Sequence, residues 1–151
     1  MLNQTLKKLF NRDLYKLKAE IESYQNESNL WIINESVTNS AGNLCLHLIG
    51  NLNTYIGATL GSSGYIRNRE LEFSLKDVPR SELIKKIDQT IEVINRTLDG
   101  LTIEEIQSEY PTLVFEEKTS TEYFLTHLTT HLAYHLGQIN YHRRLLDTVK
   151  L

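Results

Sequence analysis

Three of the five histidines in this chain stand at four-residue intervals, at His127, His131 and His135. Residues four apart on a helix are neighbours, with Cβ atoms roughly 5–6 Å apart, so two imidazoles can bind one metal ion while the backbone stays regular. The outer two lie about 12 Å apart along a helix axis, so all three cannot share one ion. One adjacent pair therefore needs at least one further ligand from another segment.

The other two histidines are His47 and His142. His142 lies about two turns beyond His135 on the same predicted helix, so His47 is the better third ligand. On a helical wheel, at about 100° per residue, His135 lies inside the apolar arc, His131 at its border and His127 further round. We therefore predict a metal site formed by His47, His131 and His135, and we assign no role to the other two histidines.

The donor set limits the chemistry of such a site. Three neutral imidazoles suit zinc, nickel, iron or copper better than magnesium or calcium, and they leave coordination positions for water or substrate. Leu132, Ala133 and Tyr134 separate the paired histidines, so the glutamate base of the zinc-peptidase motif is missing. Catalysis would then depend on the metal to activate a water or a thiol. The alternative is that the histidines are ordinary polar residues at the edge of the core.

Two amide side chains lie close to the predicted ligands along the chain. Asn51 follows His47 by four residues, and Gln138 follows His135 by three. Either amide can orient an imidazole or a bound water, or can make an ordinary interhelical hydrogen bond. The charged residues of segment 67–72 either bind an anionic substrate or form a local ion-pair network, and we favour the network.

Four long segments carry apolar residues at steps of three and four, the periodicity of amphipathic helices. They lie at residues 3–24, 41–60, 79–100 and 119–148. Pro79 suits a helix start and Gly100 a helix end, and Thr119-Ser-Thr-Glu122 has the pattern of a capping box. We predict an all-α fold, a four-helix bundle with a long connection between helices two and three.

The remaining segments are shorter. In residues 25–40 we predict a loop that places Trp31 under the bundle, after which Thr38 or Ser40 caps the second helix. We also predict a short turn at 102–107 and an extended piece at 113–115.

Length and charge exclude several classes of protein. The 151 residues suit one domain, 1–151, and a net charge of −3 provides no basic field for nucleic acid. The single cysteine, Cys45, excludes an internal disulfide framework, and the first residues lack the pattern of a signal peptide. The longest apolar stretch is well short of the ~20 residues of a membrane span. We expect a cytoplasmic protein without a membrane segment.

Two stretches resemble the DinB superfamily of four-helix-bundle metalloproteins, whose members are also called YfiT-like metal-dependent hydrolases. The first is 42–52, continuing through 66–73, and the second is 131–144. Both are similar to an uncharacterised branch that pairs a His-Leu-Ile-Gly-Asn segment with a terminal His-Leu-Gly-Gln-Ile segment. The resemblance covers nearly the whole chain.

The resemblance implies that His47, His131 and His135 bind nickel or zinc near one end of the bundle, and that the protein is a homodimer. Characterised relatives include thiol-dependent S-transferases and a maleylpyruvate isomerase, in which the metal activates a low-molecular-weight thiol. Such a thiol cosubstrate agrees with the missing general base.

Superfamily membership does not determine the reaction. Three alternatives stay open. The protein uses a thiol in S-transferase-like chemistry or water in hydrolase-like chemistry, or it is a non-catalytic stress-response protein with a structural metal site. A catalytic site should keep exchangeable water, whereas a structural site should be closed by a fourth protein ligand.

Overall fold

The computed structural model describes residues 1–148, and within that range the chain is helical without a strand. An isolated bridge pairs Glu109 with Ser120. The predicted all-α four-helix bundle is confirmed. The α-helices are α1 (Leu2–Ser23), α2 (Ala41–Leu52), α3 (Arg69–Ser74), α4 (Arg80–Gly100), α5 (Ile103–Gln107) and α6 (Thr121–Leu146), with a 3₁₀ helix at Glu27–Trp31 and a π-helix at Asn53–Ala58.

The long helices form because each has an apolar stripe to bury. Helix α1 packs against α4 and α6, and α2 also packs against these two helices. Almost every residue of the predicted stripes is buried, as shown by Leu6, Phe10, Leu14, Leu17 and Ile21 in α1 and by Leu83, Ile87, Ile91, Ile94 and Leu98 in α4.

The second helix is shorter in its α-helical part than the predicted 41–60. It leaves α-helical geometry after Leu52 and continues as the π-helix Asn53–Ala58. Thr59 donates its backbone N–H to the carbonyl of Thr54, and Gly61 does so to Ile56, both five residues back. Side-chain periodicity does not distinguish this wider turn from an α-helical one, so the sequence prediction missed it.

The predicted connection between the second and third long helices contains the short helix α3. Its N-terminus is capped by Asn68, whose Oδ1 accepts from the backbone N–H of Leu71. Helix α3 packs on α2, where the Asn43 amide donates to the backbone carbonyls of Glu72 and Leu75 at 3.0 and 2.8 Å. This attachment holds one acidic side chain, that of Glu72, in the interior.

The helix caps decide between two candidates at α2 and correct the prediction at α6. Of the two candidates for capping α2, Ser40 is the cap, with its Oγ accepting from Asn43 N at 3.1 Å. The capping box predicted at Thr119 is wrong: Ser120 caps α6, because the carbonyl of Thr119 accepts instead from Tyr110 N. Helix α6 ends at Leu146 rather than at about residue 148.

The shorter segments also differ in part from their predictions. The predicted turn at 102–107 is the helix α5, and a capping box forms there between Thr102 and Glu105. The extended piece predicted at 113–115 forms no strand. Trp31 is buried as predicted, and its indole lies 2.7 Å from where a Cβ on Gly42 would stand, so only glycine fits there. None of the helices within the described range has the length and apolar character needed to cross a membrane.

Candidate metal centre

His47, His131 and His135 converge on one point between α2 and α6. His47 is buried within α2, and the other two are half-buried on α6. One ligand atom from each of the three lies within 4.8 Å of the others. The Nε2 atom of His131 is 3.4 Å from Nε2 of His47 and 3.1 Å from Nε2 of His135.

These separations fit a shared ion. Two imidazole nitrogens that bind one zinc ion at about 2.0–2.1 Å in tetrahedral geometry stand roughly 3.3–3.4 Å apart. The separations of 3.1 and 3.4 Å between the Nε2 atoms are of this size. Within residues 1–148 the group contains three histidines and no cysteine or carboxylate. The donor set therefore suits a borderline divalent metal and leaves coordination positions open.

A buried carboxylate orients His47. Oε1 of Glu72 lies 3.1 Å from Nδ1 of His47, and the Arg67 guanidinium donates to both Glu72 oxygens at 2.8 Å. Because the Nδ1–H of His47 donates a hydrogen bond to Glu72, the Nε2 lone pair of His47 is free to bind a metal. Of the ion-pair network predicted in segment 67–72, the described residues show the pair between Arg67 and Glu72, and the Glu72 carboxylate contacts the triad.

Gln138 plays the corresponding part for His135. Its Oε1 lies 2.7 Å from Nδ1 of His135, one turn away on the same helix. An imidazole that binds through Nε2 carries its proton on Nδ1, so the amide oxygen accepts and the amide nitrogen faces away.

The third imidazole has no such partner among the described residues. Within residues 1–148, Nδ1 of His131 and Oδ1 of Asn51 are buried and have no hydrogen-bond partner. No hydrogen bond joins Asn51 to the triad in this part of the chain, so its orienting role stays a prediction.

Burial favours the neutral form of two of the imidazoles. Desolvation, together with the neighbouring imidazoles of His135 and His47, lowers the pKa of His131 to about 4. Desolvation also lowers the pKa of His47, although the hydrogen bond to Glu72 opposes it. Neutral imidazoles have the lone pairs that metal binding requires.

The two histidines without an assigned role lie outside the triad. His127 packs edge-on against Phe115, with ring centroids 4.8 Å apart. His142 is buried, with Nδ1 2.7 Å from the Tyr24 hydroxyl and Nε2 2.8 Å from the Ile32 carbonyl.

Sequence reasoning missed the specific role of Glu72. The available signal was that a metal-binding histidine usually donates its other N–H to a carboxylate or carbonyl. Gly50 is related to the same contact, because in the structure a Cβ at this position would stand 2.6 Å from Cδ of Glu72. The glycine, one turn after His47, therefore leaves room for the Glu72 carboxylate.

A family model described as "Protein of unknown function (DUF1572)" matches residues 3–150. This family is grouped with the DinB-like families. A search among curated proteins finds no match. Because the family model covers almost the entire sequence and the fold is the helical bundle that the resemblance implied, the chain belongs to the DUF1572 family, one of the DinB-like families.

Proposed function

We propose that the protein binds a divalent metal, nickel or zinc, through His47, His131 and His135. The observation that carries this proposal is the convergence of three Nε2 atoms from two helices, two of them on imidazoles whose Nδ1 atoms have acceptors. A cluster of merely polar histidines has no need of this common orientation.

We further propose that the site is catalytic. A three-histidine set among the described residues, with two members half-buried, supports a centre open to water or substrate. A bound metal would supply Lewis acidity that lowers the pKa of a thiol or a water. The residues of the chain orient the imidazoles, and the triad includes no carboxylate to serve as a base.

A low-molecular-weight thiol is the preferred nucleophile. Burial raises the pKa of Cys45 to about 12, and this is the only cysteine in the chain. The protein's own thiol is therefore inert at neutral pH, and a thiol nucleophile must come from a cosubstrate. We propose S-transferase-like chemistry in a homodimer, with hydrolase-like activation of water as the alternative.

Elemental analysis of untagged protein tests the metal site. We expect near-stoichiometric metal in the wild type, and its loss in both His47→Ala and His131→Ala. His127→Ala is the matched control, because His127 neighbours the triad on α6 without joining it. A wild type that is metal-free and takes up neither nickel nor zinc would overturn the proposal.

A panel of low-molecular-weight thiols with electrophilic acceptors tests the reaction. Metal-dependent transfer with one thiol supports the transferase. Failure with every thiol, together with metal-dependent ester or amide hydrolysis, indicates the hydrolase. Stoichiometric metal without exchangeable water and without either activity indicates a structural metal site.

A further inference from the structure

A cavity of about 260 Å³ opens near the candidate metal centre, between the C-terminal part of α6 and the segment that precedes α2. Leu44 lines it from α2, one turn before His47, and Gln138 lines it from α6, one turn after His135. The cavity therefore borders both helices that carry the triad. Its other walls come from the segment before α2 and from the end of α6.

Among residues 1–148, the residues that line this cavity carry no formal charge. None of these is Asp, Glu, Lys or Arg, and the apolar walls include Leu44, Tyr141 and Leu145. His142 also lines it, but burial lowers the pKa of this imidazole and both ring nitrogens are already hydrogen-bonded. An ion that entered would lose hydration without gaining a counter-charge, so the cavity favours an uncharged ligand.

Gln138 connects the cavity to the triad. Its Oε1 accepts a hydrogen bond from Nδ1 of His135 at 2.7 Å. Its amide nitrogen makes no hydrogen bond to protein within residues 1–148, and the side chain lines the cavity. The amide nitrogen is thus a donor available to an acceptor oxygen on a ligand.

We propose that this cavity binds the electrophilic substrate, an uncharged and largely apolar carbonyl compound whose oxygen accepts a hydrogen bond from the amide nitrogen of Gln138. The inference rests on the proposed function for its catalytic meaning and adds the substrate class. The volume of about 260 Å³ lies just below the roughly 300–1,000 Å³ of typical ligand clefts. A single aromatic ring with one carbonyl group is of suitable size.

The probes are benzamide and its charged analogue benzoate. Each is titrated into ¹⁵N-labelled full-length protein, as purified and after treatment with a chelator, and amide shifts are followed by NMR. In the chelated protein, where no metal attracts a carboxylate, we expect saturable benzamide binding with shifts around Gln138 and Leu145. Benzoate should bind at least about tenfold more weakly, because its charge is not compensated.

Two variants test the location of binding. Leu145→Arg places a charge at the cavity, and we expect it to weaken benzamide binding at least about tenfold. Leu113→Arg is the matched control, because Leu113 is 63% exposed against 64% for Leu145 and does not line the cavity. Gln138→Leu removes the donor and should weaken benzamide binding about fivefold, the value of one ordinary hydrogen bond.

Three results would overturn the proposal: equal affinity for benzoate and benzamide in the chelated protein, shifts confined to other regions, or unchanged binding in Leu145→Arg. A lack of benzamide binding, with Leu145→Arg lowering the mass in analytical ultracentrifugation, would show that a second copy of the chain covers the cavity instead. Failure of the metal proposal is distinguishable, because a protein that takes up no metal yet binds benzamide retains the ligand site and loses only the catalytic centre.

Discussion

Oε1 of Glu72 lies 3.1 Å from Nδ1 of His47, and this contact links the short helix α3 to the histidine triad. Glu72 is 5% exposed, and the Arg67 guanidinium donates hydrogen bonds to both of its carboxylate oxygens. The carboxylate thus determines which nitrogen of His47 carries the proton, and through that which nitrogen faces the other two histidines.

Replacing Glu72 with Gln should weaken nickel or zinc binding about 10–100-fold, the usual effect of losing such an outer partner. The amide is a poorer acceptor and leaves the Arg67 guanidinium without its counter-charge. Competition with a chromogenic chelator measures the affinity. Glu70→Gln is the control, since Glu70 is an exposed residue of the same helix. Equal affinities in the two variants would show that the Glu72 carboxylate does not support the site.

Two glycine substitutions should act in opposite directions. Gly50→Ala would bring a Cβ to 2.6 Å from Cδ of Glu72, displacing the carboxylate and lowering both stability and metal affinity. Gly137 has open space where its Cβ would stand. Gly137→Ala should therefore stabilise the protein by about 0.5–1 kcal/mol through helix propensity. Urea unfolding of chelated protein measures the stability of both variants. A Gly50→Ala variant more stable than the wild type would contradict the close contact between Gly50 and Glu72.

The metal-free protein should lose stability as the pH falls from 7 to 5. Burial lowers the pKa of His142 in the folded state below its ordinary value of about 6.5. The unfolded chain therefore binds more protons than the folded protein in this range. The contribution of His142 to folding stability is complete above about pH 6.5 and is lost as the pH falls through the folded-state pKa. The depressed pKa values of His47 and His131 act in the same direction.

His142→Gln should flatten this pH dependence, and it should cost about 1–3 kcal/mol for each buried group left unpaired, Tyr24 and Ile32 being the partners. Urea midpoints at pH 5 and 7 provide the measurement. His127→Gln is the control, because that imidazole has no hydrogen bond within the described residues. If the slope of stability against pH in His142→Gln equals that of the wild type, the buried imidazole does not contribute to it.

Nickel added at about 100 times its Kd should raise the stability of the folded protein by about 2.7 kcal/mol. For a chain of this size that corresponds to an increase in Tm of about 5–10 °C. The increase should disappear in His47→Gln, which keeps a polar side chain but loses one ligand. Differential scanning calorimetry of chelated and nickel-loaded protein measures the shift. An equal increase in the variant would place the nickel outside the triad.

The sequence alone determined the four long helices and the composition of the candidate triad. Burial of an apolar stripe requires steps of three and four residues, and that requirement is visible in the order of residues. The four-residue spacing of His131 and His135 likewise follows from helix geometry, and His47 was found by elimination and by its place near an apolar face.

The tertiary structure decided what surrounds the triad. Glu72 reaches His47 because hydrogen bonds from the Asn43 amide hold α3 against α2. The six residues of α3 contain no sequence pattern that predicts this packing. The π-helix after Leu52 and the cavity beside Gln138 depend on how helices distant in sequence pack together. Local periodicity encodes which face of a helix is buried, whereas the partner that covers it is selected by packing over the whole chain.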